Sequence, residues 1–234
     1  MLATPGSGVK DHINANDVTR HAERGFVTLI CDPSFQIKSG GEQRDSNEPL
    51  VRVEDIRAAV DASVTRPFVS EERIGLPGSG HAANGALVGH CFKDVGPIVG
   101  GNIGGTLRRM LGPAKVFETL AKVGRHQIAG AKVAERHCQP WIPASMKYAN
   151  AAGIKVDQLL SAVAFYRGSA YRHPRSTGRL LSTNFGGLLG FDAFHLGSTA
   201  VHHRRQEALR DRTIRGWRCT VRRLADRTGQ ISRD

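Results

Sequence analysis

Residues 75–105, GLPGSGHAANGALVGHCFKDVGPIVGGNIGG, form the stretch on which the fold prediction depends. Glycine loses more backbone freedom on folding than any other residue, so a stretch this rich in glycine weakens both helix and strand. We expect only short strands here, near 86–88 and 97–99. The stretch therefore separates two parts of the chain that carry stronger secondary-structure patterns.

Two patterns precede the glycine-rich stretch. Residues 26–31, FVTLIC, are apolar and β-branched and are followed by Asp32-Pro33, which predicts a short strand. A run with helical apolar spacing follows, and the helix should end before Pro67 because the residue before a proline avoids the α region. The apolar positions of this helix are Val53, Ile56, Val60 and Val64.

Two further helices are predicted after the stretch. Pro113 is suited to the first turn of a helix, and residues 156–166, VDQLLSAVAFY, indicate a second one. The first helix should bury an apolar stripe made of Val116, Phe117, Leu120, Val123, Ile128 and Ala131.

These patterns predict an α+β, mainly helical fold with a single domain. Residues 1–25 are polar and show no period, so we interpret them as a mobile N-terminal arm. Residues 26–200 form the predicted globular domain. Residues 201–234 are predicted to be an Arg-rich C-terminal helical extension.

Charge is distributed unevenly along the chain, which has a formal net charge of +12. Residues 1–75 are acidic overall, residues 76–166 are basic, and residues 167–234 carry 14 Lys+Arg against 5 Asp+Glu. All 14 of those cations are arginine. Because the planar guanidinium matches phosphate oxygens in pairs, this enrichment favours a polyanionic partner.

The leading functional hypothesis is a non-enzymatic nucleic-acid-binding protein of the packaging or ribonucleoprotein type. RNA is the preferred partner over DNA, and self-association is a further expectation. In this hypothesis the arginines of one helix contact the phosphates. Trp217 either packs in the core or provides a surface on which a base stacks. The predicted nucleic-acid-binding residues are Arg204, Arg205, Arg210, Arg212, Arg215, Arg218, Arg222, Arg223 and Trp217.

Two alternatives stay open. The first is a small enzyme that holds a phosphorylated ligand at the glycine-rich turn 96–109, where free backbone N–H groups and two arginines would meet the phosphate. The residues of that site would be Gly101, Gly104, Gly105, Thr106, Arg108 and Arg109. The second alternative is a peripheral membrane or partner-binding protein that uses its C-terminal helix.

The sequence carries no catalytic or metal signature of known spacing. The patterns GxSxG and HExxH are absent, and the pairs His90-Cys91 and His137-Cys138 have the wrong spacing for zinc ligands. We therefore assign no catalytic residue, no metal site and no cofactor. Four widely separated cysteines favour a reducing compartment such as the cytoplasm, and no transmembrane segment is predicted.

Overall fold

The computed structural model describes residues 8–78, 80–89, 92–98, 100–132, 136–168 and 172–195. About half of these residues are helical, and their strands are few and short. The helices are α1 (Ile13–Ala22), α2 (Pro49–Val64), α3 (Gly80–Val88), α4 (Ile103–Lys132), α5 (Met146–Ala151), α6 (Asp157–Arg167) and α7 (Asn184–Gly190). The strands are β1 (Gly75–Gly78), β2 (Asp94–Pro97), β3 (Cys138–Pro140) and β4 (Arg179–Leu181), and one 3₁₀ turn spans Glu71–Arg73.

Strands β1 and β2 are parallel and are joined through helix α3. Gly75 pairs with Asp94 and Gly78 with Pro97, so the two strands run in register over their whole length. Parallel neighbours need a crossover connection, and α3 supplies it. This β–α–β unit is an α/β arrangement, so the mainly helical α+β prediction is confirmed only in part. The second pair, β3 with β4, is antiparallel.

The core lies between α2 and the β1–α3–β2 unit. Its buried side chains are Ile56, Val60, Leu76, Ala82 and Phe92. Helix α2 begins with Pro49, whose missing N–H costs nothing in a first turn, and it ends before Pro67 as predicted. The predicted apolar face of α2 is confirmed at Val53, Ile56 and Val60, which are buried. The helix predicted at 156–166 is confirmed as α6.

Three predicted strands are wrong. Residues 26–31 have no regular secondary structure, and no neighbouring strand lies beside them among the described residues. In a strand, the backbone N–H and C=O groups must pair with those of a neighbouring strand. An apolar β-branched sequence does not show whether such a neighbouring strand is present. Residues 86–88 belong to α3, and the second strand covers 94–97 rather than 97–99.

Helix α4 differs from its prediction in both length and orientation. It begins at Ile103, and Gly112 interrupts it with a left-handed backbone (φ +73°) just before Pro113. The predicted apolar stripe is mostly exposed: Phe117 is 73% and Ile128 63% accessible, and Val123 is its buried member. Helical periodicity shows that one side is apolar, but it does not show that a partner covers that side.

The ends of the chain are described only in part. The segment predicted as an arm contains α1, and Val9 before this helix is fully buried. The predicted C-terminal extension, 201–234, lies outside the described residues. The division into arm, domain and extension therefore stays a prediction. In the portion that the structure describes, we find no helix with the length and apolar character of a membrane span.

Candidate functional site

The candidate functional site is centred on the junction between β1 and α3. The polar side chains of the site, described below, belong to segments near this junction. Strand β1 ends at Gly78 and α3 begins at Gly80, so one position separates the strand from the helix along the sequence. In open α/β sheets, ligands bind outside the carboxyl ends of parallel strands. The amino terminus of α3 adds a partial positive charge at the same point.

Glycine is required at position 80 because other backbone segments approach it closely. A Cβ there would lie 2.1 Å from the carbonyl oxygen of Gly101 and 3.2 Å from the Cβ of Ala193. The first distance is far below any real contact, so a larger residue would displace the backbone. Segments 100–102 and 191–195 thus pack directly against the beginning of α3.

Asn102 joins these two segments. Its Nδ2 donates a hydrogen bond to Oδ1 of Asp192 at 2.7 Å, and its Oδ1 accepts one from the backbone N–H of Gly105 at 3.1 Å. The second bond caps the amino terminus of α4. Asp192 Oδ1 also accepts from the N–H of Phe194, which fixes the carboxylate in place.

His195 is an exposed histidine whose ring is oriented by the same segment. Its Nδ1 lies 3.2 Å from the carbonyl oxygen of Asp192. A carbonyl can only accept, so Nδ1 is the donor in this contact, and in the neutral imidazole with this tautomer Nε2 is the nitrogen with the lone pair. The contact therefore leaves Nε2 without a bond to this carbonyl.

His81 lies in the first turn of α3 and is buried, with 8% of its surface accessible. Its ring stacks on Phe191 with 5.4 Å between ring centroids and 18° between the planes. Burial, together with the positive charge of Arg52, lowers the pKa of His81 to about 3. The imidazole is therefore neutral at physiological pH.

Arg52 is a second buried polar group near this turn. Its Nε donates to the Asn47 side-chain oxygen and its Nη2 to Gln36 Oε1. The Asn47 backbone N–H donates in turn to Asn184 Oδ1, which connects the segment before α2 to α7. Burial lowers the pKa of Arg52 to about 10, so the guanidinium stays charged at neutral pH.

The residues predicted to bind phosphate are present in the described chain, but several are engaged in packing. Gly104 packs against α7, since a Cβ there would lie 1.9 Å from the carbonyl oxygen of Phe191. Arg108 Nη1 donates to the carbonyl oxygens of Leu189 and Phe191. The N–H of Thr106 donates to the Asn102 carbonyl oxygen, whereas Arg109 is exposed. Phosphate binding at this segment stays a sequence prediction.

The predicted nucleic-acid-binding residues all lie outside the described residues. They are Arg204, Arg205, Arg210, Arg212, Arg215, Arg218, Arg222, Arg223 and Trp217. The ring of His137, which was examined above as a zinc ligand, stacks on the ring of His126 with 4.4 Å between the ring centroids. No group of three or more metal-binding side chains converges within the described ranges.

Comparison with known proteins identifies relatives by sequence. The chain is 29% identical over 204 residues to the uncharacterized protein YcjY of Escherichia coli strain K12, a match that covers 84% of this chain and 65% of YcjY. It is 38% identical over 99 residues to the uncharacterized protein PA2218 of Pseudomonas aeruginosa, covering 41% of this chain and 27% of PA2218. No protein-family model matches the chain.

Comparison with solved structures gives the fold. The crystal structure of the hypothetical protein PA2218 from Pseudomonas aeruginosa matches 82% of this chain and 61% of its own, with a TM-score of 0.70 and 27% identity. DcsB, solved with its substrate analogue, gives a TM-score of 0.64 at 18% identity, and the α/β hydrolase GrgF from Penicillium sp. sh18 gives 0.57 at 17%. Each of these two matches covers 82% of this chain and 64% of that protein. The chain therefore has an α/β-hydrolase-like fold and spans less than two thirds of the length of YcjY and of these structures.

The similarity to an α/β hydrolase overturns the leading functional prediction. The nucleic-acid-binding function, the packaging or structural role and the RNA partner are wrong, since the structural neighbours have an enzyme-like fold. Arginine content describes the charge of a chain and its tendency to attract anions, but it does not specify the fold. A basic C-terminal third was therefore an insufficient basis for that prediction.

Sequence reasoning missed the junction between β1 and α3 for a specific reason. The search used GxSxG, whereas residues 77–81 are Pro-Gly-Ser-Gly-His, so both outer glycines of the pattern are replaced. The signal that was available is the order strand, serine, helix, but the strand was not predicted. His195, Asp192 and Arg52 had no signal of their own, because only the fold brings their segments to this turn.

Proposed function

We propose that the chain carries the nucleophile-bearing part of a hydrolase that acts on a small-molecule ester or related carbonyl compound. In α/β hydrolases the nucleophilic serine occupies the turn between a strand and the following helix. The residue at that place in this chain is Ser79, which lies outside the described residues. The observation that supports the proposal is the β1–turn–α3 unit with the 191–195 segment packed against its helical side.

Each group has a chemical role in this proposal. The Ser79 hydroxyl attacks the substrate carbonyl carbon while its proton passes to Nε2 of His195, which later gives that proton to the departing alcohol. Water then hydrolyses the acyl-serine by the same path. The Asp192 carbonyl oxygen holds His195 in the required tautomer, a task that a carboxylate performs in a catalytic triad.

The proposal is tested by hydrolysis of p-nitrophenyl acetate and butyrate by the full chain. We expect turnover by the wild type, loss to the buffer rate in Ser79→Ala, and a loss of about 10²–10⁴-fold in His195→Gln. The matched control is His21→Gln, because the His21 ring makes the same kind of contact with a backbone carbonyl, that of Asp17. It should hydrolyse at the wild-type rate.

Two results would contradict the proposal. One is an absence of hydrolysis by the wild-type chain with every ester of the panel. The other is an equal rate in the wild type and in Ser79→Ala, which would place the activity elsewhere or in a contaminant.

A further inference from the structure

The second half of helix α4, residues 113–132, carries an apolar seam on the side that faces away from the protein. The opposite side is anchored: Val123 is buried beside Gly186 of α7, and the ring of His126 stacks on that of His137. The seam residues recur at alternating spacings of three and four, which is the pattern of a helix that packs lengthwise on another helix. They are Ala114, Phe117, Ala121, Gly124, Ile128 and Ala131.

This seam is open to solvent as far as the described residues are concerned. Phe117 and Ile128 are largely exposed, and nothing would lie within 4 Å of a Cβ at Gly124. Contiguous exposed apolar surface on a globular protein marks an interaction site. A partner for this seam must be apolar along about 30 Å of helix and must fit the charges beside it.

A second copy of the same helix meets the first requirement when the two helices run antiparallel. In one register Phe117 lies opposite Ile128 of the partner subunit. The small residues then meet one another, since Ala121 lies opposite Gly124 of the partner subunit and Ala114 opposite Ala131 of the partner subunit. All three pairs share one midpoint, so a two-fold axis repeats each contact and closes the assembly as a dimer.

The charges beside the seam fit the same register. Glu118 and Arg125 flank the seam on one side, and Glu118 is offset from Arg125 of the partner subunit by about 3 Å along the axis. The two-fold axis gives two such pairs. Glu118 Oε1 also contacts Lys122 of its own helix, and a carboxylate can accept from a second cation. A parallel pair of helices would instead place Glu118 beside Pro113 and Arg125 beside Leu120, neither of which is charged.

We propose that residues 113–132 form the interface of a symmetric, antiparallel dimer of this chain. The proposal is independent of the hydrolase function proposed above. It assigns a role to the exposed apolar residues of α4, which the fold of a single chain leaves in contact with water.

Sedimentation velocity of the full chain over a range of concentrations tests this interface. We expect the wild type to dimerise as its concentration rises. Phe117→Asp should abolish the dimer, because the interface would bury a carboxylate against apolar side chains. The matched control is Phe68→Asp, which makes the same replacement at another exposed phenylalanine and should dimerise as the wild type does.

Charge reversal tests the antiparallel register. Glu118→Arg and Arg125→Glu each place like charges opposite one another, so each should weaken the dimer. The double variant restores both ion pairs with exchanged positions and should recover the dimer. Lys115→Glu is the control, because it changes the net charge as Arg125→Glu does, at an exposed position away from the seam.

Four results would overturn the proposal. A chain that is monomeric at every concentration has no such interface, and a dimer that Phe117→Asp leaves intact has its interface elsewhere. A double variant that dimerises no better than the single variants excludes this register. A monomer in which Phe117→Asp makes residues 201–234 more susceptible to trypsin identifies that segment, rather than a second copy, as what covers the seam.

Discussion

Several arginines of the described residues bind oxygen atoms of the protein itself, and three of them illustrate how. Arg52 donates to side-chain oxygens in a buried network, and Arg108 donates to carbonyl oxygens at the end of α7. Arg167 donates to the carbonyl oxygens of Ile142, Thr177 and Gly178. Such contacts stabilise segments without regular structure, where carbonyl groups lack a partner in a helix or sheet. A count of cations therefore overestimates the charge that is available to a ligand.

His81 should make the stability of the protein depend on pH below neutrality. The folded state holds the pKa of His81 at about 3, whereas the ordinary value is 6.5. As pH falls below 6.5, the unfolded chain binds a proton that the folded chain does not, so the free energy of unfolding decreases. The slope from this one group approaches about 1.4 kcal/mol per pH unit until the pH nears 3.

Urea denaturation of the wild type and His81→Gln between pH 7 and pH 4.5 measures this contribution. The variant should show a shallower loss of stability with falling pH, because glutamine does not titrate. Parallel curves for the two proteins would show that His81 is solvated enough to protonate in the folded state.

At this scale the sequence predicts little of the candidate site. His81 is one of ten histidines in the sequence, and it stacks on Phe191, which is 110 positions away. Arg52 was counted as one of nine cations in an acidic segment. Contacts between such distant positions follow from the tertiary fold, which periodicity and spacing do not encode.

The glycines of helix α4 have opposite roles in its two halves. At Gly104 a Cβ would lie 1.9 Å from the Phe191 carbonyl oxygen and 2.7 Å from that of Leu188, whereas nothing lies within 4 Å of a Cβ at Gly124. The first glycine allows α4 to contact α7 closely. The second lies in a helix interior, where glycine is less favourable than alanine.

We therefore expect Gly104→Ala to destabilise the protein by about 3 kcal/mol, through displacement of the α7 backbone. Gly124→Ala, the matched control in the same helix, should stabilise it by about 0.5–1 kcal/mol. Chemical denaturation of both variants gives these values. Equal effects of the two substitutions would mean that α4 and α7 do not pack as described.

Helices were predicted correctly where apolar residues at helical spacing filled a segment with clear ends. Helix α2 has apolar residues at helical spacing and proline near each end, and helix α6 has a compact apolar pattern, so both were predictable. Strands β1 and β2 have four residues each, and glycine or proline occupies three positions of β1 and two of β2. Their pairing rather than their composition makes them strands, and that pairing is visible only in the fold.

At the scale of the whole molecule, fold similarity and net charge gave opposite indications of function. The basic C-terminal third suggested a polyanion, whereas the described residues have a fold similar to an α/β hydrolase. The arginines on which the first interpretation rested lie outside the described residues. The chemistry that we propose depends on one turn and on two segments packed against it.

Reaction with a fluorophosphonate probe tests that chemistry most directly, because the probe forms a covalent bond with an activated serine and needs no knowledge of the natural substrate. Trypsin cleaves the chain after Arg73 and Lys93, and the resulting peptide, residues 74–93, contains Ser79 as its single serine. We predict one probe adduct per chain, located on Ser79 and absent from Ser79→Ala. A full chain that is folded but takes up no probe, or carries it on another residue, would contradict the proposed hydrolase function.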